Sequence, residues 1–177
     1  MTTKKMKKRV LALTLALMSL LSISGCKMTD DIKAYVPDEW YKETLESYKN
    51  GFACGWKSNP DNINVSDEML DEKNKFGYLL TDLNGDGYDE LLIGLMDGAK
   101  ETKFTDLWIW HVNFGATNSF HCGDGYYMYL DDNKVIKMES WYGSETKIEY
   151  MKYNKEDEAF TILEDGGKSE NFTLTEF

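Results

Sequence analysis

The chain has 177 residues, with 20 Lys and Arg against 31 Asp and Glu, a formal net charge of −11. That field makes nucleic acid and anionic lipid poor partners and leaves cations and basic surfaces as plausible ones. The length suits one domain, which at this size buries roughly 70% of its unfolded surface and needs no covalent staple.

Lys4, Lys5, Lys7, Lys8 and Arg9 precede an apolar run from Val10 to Leu21, and Ile23-Ser24-Gly25-Cys26 follows. A basic segment, a short apolar segment and small residues in that order read as an export signal, too short to span a bilayer comfortably. Its end resembles a bacterial lipobox, with Ile23 standing where leucine is more usual. In lipoproteins of that family the cysteine sulfur receives a diacylglycerol, the leader is cut just before it, and the new terminus is often acylated. The resemblance therefore implies a signal peptide over residues 1–25, lipidation of Cys26, and anchoring outside the cytoplasm on the bacterial cell membrane. The leader carries five basic residues and no acid, so the remaining 152 residues hold 15 Lys and Arg against 31 Asp and Glu, a net of −16.

Residues 26–37 form the lipidated cysteine and a tether: Lys27 to Val36 has no apolar period, and Pro37 ends it. Ten residues reach at most about 35 Å, which keeps the domain, residues 38–177, near the membrane. From Asp38 onward Tyr41, Leu45, Tyr48 and Phe52 recur at helical spacing, with Gly51 near the end. This predicts an amphipathic helix of about 12 residues whose apolar stripe packs on a sheet. Ser66 to Leu70 can add one short helical turn.

Candidate strands then follow at Phe76–Thr81, Glu90–Leu95, Asp106–Val112, Tyr126–Leu130, Lys134–Trp141, Lys147–Tyr153 and Ala159–Leu163. Short polar turns separate them, which favours antiparallel neighbours. The expected fold is α+β: the N-terminal amphipathic helix packed on an antiparallel β-meander of about seven strands.

Between the first two strands Asp82, Asn84 and Asp86 place oxygen side chains at alternate positions, Gly87 permits a sharp turn, and Glu90 closes the loop. This spacing suits a hard cation, with Tyr88 supplying its backbone carbonyl. Asp89 is assigned outside the ligand set, because it points away from Glu90 once the strand has begun. Calcium is the expected ion; magnesium, or a loop shaped by Asn and Asp turn chemistry with no ion, are the alternatives. Against the ion-free loop stands the repulsion among Asp82, Asp86, Asp89 and Glu90.

Loop 82–90 resembles the calcium loops joining strands in FG-GAP and VCBS-type repeats and, more loosely, dockerin and EF-hand loops. An EF-hand beginning at Asp82 would need its bidentate carboxylate at Ile93, so the strand-flanked version fits better. With its Tyr-Leu-Leu and Glu-Leu-Leu-Ile-Gly flanks, it also resembles uncharacterised bacterial surface lipoproteins that carry a single such loop.

Other chemistry is thin. Cys54 and Cys122 remain after Cys26 is assigned to lipid, and both a disulfide between them and two buried thiols are open. His111 and His121 match no zinc spacing. Dense aromatics such as Trp108, Trp110, Tyr127 and Trp141 suit core packing better than sugar stacking. No nucleophile elbow, Ser-x-x-Lys, His-Glu-x-x-His or phosphate-binding loop is present, and paired carboxylates carry no signal among 31 acids. The leading expectation is a non-enzymatic, calcium-stabilised surface lipoprotein whose domain binds a protein or glycan near the membrane. The alternative is a small exported hydrolase of envelope glycans with structural calcium. A solute-binding component of a transporter ranks third, since one meander does not offer two lobes.

Overall fold

Leu91-Leu92-Ile93-Gly94-Leu95 is apolar on both faces of a strand, so the chain must cover both. The computed structural model describes residues 37–59, 61–111, 114–123 and 125–177. The expected signal peptide, Cys26 and tether residues 27–36 lie outside the described residues, while Pro37, expected to end the tether, begins a helical turn. Trp40–Phe177 form one compact unit.

Among the described residues the helices are a single turn, α1 (Pro37–Trp40), then α2 (Lys42–Cys54) and another single turn, α3 (Asp67–Leu70). The strands are β1 (Phe76–Thr81), β2 (Glu90–Leu95), β3 (Phe104–His111), β4 (Gly115–His121), β5 (Tyr126–Leu130), β6 (Ile136–Tyr142), β7 (Glu145–Asn154), β8 (Ala159–Leu163) and β9 (Thr175–Glu176). The protein is thus mostly antiparallel β-sheet with few helices.

The sheet runs β8-β7-β6-β5-β3-β2-β1-β9, with β4 paired to β3 off that path. It departs from a simple meander at β3. There β4 takes residues Asp106 to His111, while β5 takes only Phe104, through Met128. Two strands exceed the seven expected. β4 reads Gly-Ala-Thr-Asn-Ser-Phe-His and β9 is two residues long, and neither carries the alternating apolar signal that marks the others.

Strand parity sorts the core into two clusters. Phe76, Tyr78, Leu80, Leu91, Ile93, Leu95, Trp108 and Trp110 share one face of β1–β3, and α2 covers it with Tyr48, Leu45 and Phe52 beside Tyr41 and Trp56. Leu79, Leu92, Leu107 and Ile109 point the other way, toward Met128, Leu130, Ile136 and Tyr153 from β5–β7. Strand β2 is buried throughout because it has a layer on each side.

The helix ends at Cys54, with Gly51 in its last turn. Gly55 takes the left-handed C-cap, φ 59°, and the following Trp56 N–H bonds back to the Gly51 carbonyl. Gly51 is small for a packing reason: a Cβ there would lie 2.4 Å from the Trp56 ring.

Candidate metal centre

Strands β1 and β2 pair up to Thr81 and Glu90, so residues 82–89 are the whole connection. Gly85 (φ 76°) and Gly87 (φ 92°) occupy the left-handed region that lets so short a loop fold back. The side chains then turn onto the loop's own amides. Asp82 Oδ1 accepts from the N–H of Gly85 (2.7 Å) and of Asp86 (3.2 Å), and Oδ2 accepts from Gly87 (2.9 Å). Asn84 Oδ1 accepts the Asp86 N–H, and its amide nitrogen donates to Asp86 Oδ2 at 3.1 Å. Asp86 Oδ1 in turn accepts from Tyr88 N–H at 2.7 Å.

Glu90 closes the base of the loop. It is buried, and its Oε2 accepts the Leu83 N–H at 2.7 Å, while Leu83 itself is packed in the β1–β3/β5–β7 core. Burial pushes the Glu90 carboxyl up to about 8; the Leu83 N–H opposes this, and the charges of Asp86 and Asp82 add to it. Asp89 is raised by burial and by Asp82. The same field acts on two tyrosines beside the loop: burial and Glu90 hold the hydroxyl of Tyr41 well above its ordinary value and push that of Tyr153 to about 12. Tyr41 donates to the Asp89 carbonyl at 3.1 Å, and the Tyr88 ring lies 5.1 Å from that of Trp40.

Of the predicted ligands, Asp82, Asn84 and Asp86 are hydrogen-bonded into one small network, and Glu90 is held just below it. Among the described residues, no set of three or more His, Cys, Asp and Glu side chains is gathered closely enough to hold an ion. The amides have claimed the carboxylates. They have not exhausted them: an ionised carboxylate offers about four acceptor positions, so oxygens that accept one amide can still face a cation. Among the described residues no ion pair reaches Asp82, Asp86, Asp89 or Glu90. Two ammonium groups approach without pairing with a carboxylate: Lys155 donates to the Gly85 carbonyl of the loop (3.4 Å), and Lys134 donates to the Thr81 hydroxyl (2.8 Å) while its charge opposes the rise of Asp89. The donor set is all oxygen and net negative, which fits a hard cation such as Ca²⁺.

The remaining candidates fall apart spatially. Cys54 and Cys122 are both free thiols; Cys54 borders the helix-side cluster, whereas Cys122 is buried in the cluster on the other face of the sheet. Burial, Asp106 and Glu68 push the Cys122 thiol up to about 12. His111 lies 3.6 Å from Glu158, and His121 Nδ1 lies 2.9 Å from Asp106 Oδ1.

Asp106 is the polar residue that sequence reasoning missed. It has no exposed surface, its Oδ1 also accepts from Asn118 (2.9 Å), and its Oδ2 has no hydrogen-bond partner. Nearby, Trp108 Nε1 donates to the Tyr48 hydroxyl at 3.2 Å, which burial and Asp106 hold well above its ordinary pKa. Its one sequence signal was an aspartate on the same face as Trp108 and Trp110.

A cleft of about 570 Å³ opens between the end of α2, α3 and β1, lined by Phe52, Cys54, Leu70, Glu72, Phe76 and Phe177 among others. Two of its three acids have ordinary roles: Asp71 accepts from the Lys73 N–H, and Glu176 pairs with Lys75 at 3.2 Å. A glycosidase acid must hold its proton near neutral pH. The raised carboxyls, Asp89 and Glu90, sit in the loop and not in this cleft.

No family model matches the chain, and no curated protein or solved structure matches it either.

Proposed function

We propose that this chain is an extracytoplasmic bacterial lipoprotein, anchored through lipid on Cys26, whose α+β domain is stabilised by calcium in loop 82–90 and binds a protein or glycan near the membrane. The ion is held by Asp82, Asn84, Asp86, the Tyr88 carbonyl and Glu90, and the domain is of the single-loop surface-lipoprotein kind. The observation that carries the metal part is a pre-shaped loop with four carboxylates, one of them buried, and no ion pair to any of them among the described residues. A divalent cation removes that repulsion and lets Glu90 ionise. The hydrolase reading gains nothing from where the raised carboxyls lie.

The test is thermal unfolding in chelator and in calcium. With a Kd of about 10 μM and about 1 mM free calcium, mass action adds roughly 2.7 kcal/mol, a rise of about 5 to 10 °C for a protein of this size. Asp86→Ala should remove most of that rise and His111→Ala should keep it. Identical melting of the wild type in both conditions, with no heat of binding, would leave the loop as a turn only.

A further inference from the structure

We infer that the free edge of β8 is a docking edge for an extended polypeptide segment with an apolar centre and basic flanks. It is the partner class for the binding module of the proposed function and rests on that reading.

Among the described residues three strands have a neighbour on one side only, β4, β8 and β9. β9 is two residues long, and β4 is half-buried throughout. β8 is different. It pairs with β7 along one side only, over five residues, and Ala159, Thr161 and Ile162 are exposed, Ile162 at 70%. Alternate residues of such a strand turn N–H and C=O groups away from their one neighbour, which is a template for another strand. Edges not meant for pairing are blunted by lysine, proline or an inward charge, and Ala-Phe-Thr-Ile-Leu has none of these.

The ends of the strand decide what can occupy it. Glu156, Asp157 and Glu158 precede it and Glu164 and Asp165 follow it, all exposed. A second copy paired antiparallel about Thr161 would set Glu158 against Glu164 and Asp157 against Asp165; a parallel copy would set each acid against itself. Like charges placed opposite one another are destabilising, so both self-pairings are disfavoured. The nearby cations do not cancel this rim: Lys155 reaches the Gly85 carbonyl, Lys152 stands opposite Thr161 at the middle of the strand, and His111 is beside Glu158 alone. A segment with apolar residues at its centre and Lys or Arg at both ends meets the strand groups, Ile162 and both acidic ends at once.

The probe is a synthetic peptide, Lys-Lys-Val-Thr-Val-Thr-Val-Lys-Lys, titrated into the full-length protein in mild detergent with calcium present. Saturable binding is expected. N-methylating alternate peptide amides, or exchanging the lysines for glutamates, should each weaken it at least about tenfold. Ile162→Lys should do the same at a surface position where the fold does not depend on the side chain. The double change Glu164→Gln with Asp165→Asn should weaken binding and flatten its salt dependence. Equal binding of the N-methylated peptide, or no saturable binding, overturns the inference. So does a protein dimer that Ile162→Lys dissolves, because the occupant would then be a second copy. Melting of the same samples in chelator and in calcium separates the two proposals: a calcium shift without peptide binding overturns the docking edge alone, and peptide binding without a calcium shift overturns the metal reading alone.

Discussion

Glu90 shows how one residue ties the loop's charge to its fold. Its carboxyl rises from 4.5 to about 8 chiefly through burial, so without a cation the folded state holds a proton that the unfolded chain releases. A raised carboxyl contributes stability below its unfolded value and loses it as pH climbs through the folded one. In chelator, stability to urea should therefore fall between about pH 5 and pH 8, by up to a few kcal/mol. Glu90→Gln keeps an oxygen for the Leu83 N–H and should flatten that slope. An unchanged slope in the variant would place the titration elsewhere. Calcium should reverse the wild-type trend, since the cation favours the ionised carboxylate.

At the scale of elements, β1, β2, β5 and β8 begin and end where the apolar alternation and the turn signals put them. These segments carry their own instructions. β4 does not: Thr117, Asn118 and Ser119 become a strand because β3 offers a partner edge, a long-range fact invisible in the local pattern. The hydrogen bonds of the loop were likewise illegible, although its residues were not. Spacing named Asp82, Asn84 and Asp86, but only the folded loop shows each oxygen already accepting an amide or a side-chain N–H. Gly51 lies in the last turn of α2 as its place in the pattern suggests, but its packing role was illegible, because only the fold brings the Trp56 ring into that space. Gly51→Ala gains about 0.5–1 kcal/mol of helix propensity and meets an overpacking cost of about 1–3 kcal/mol. The urea midpoint should fall with an unchanged slope; a rise would mean that Trp56 moves aside freely.

For the whole molecule, the acid excess and the leader both bear on place. A net of −16 after residue 25 is repelled by anionic headgroups, so in the proposed function the attachment rests on lipid at Cys26 and not on surface charge. Wild type should partition with membranes in a bacterial host and take up labelled fatty acid, and Cys26→Ser should lose that label. Equal labelling of the variant would remove the anchor from the proposal.

The pairing of β9 with β1 governs timing. Lys75 and Glu176 meet across 101 positions of chain, and Phe177 stacks on Tyr48 at 5.8 Å within the helix-side cluster. Contacts so distant in sequence are won only after a long closure entropy has been met, which slows folding of sheets built this way. The earlier strands can pair while the last ones are still being delivered, but the surface that Leu174 and Phe177 cover stays wet until then. Under the proposed export that delay is useful, because a chain crossing a membrane must stay unfolded and the contacts of β9 hold off the last locking of the helix-side cluster.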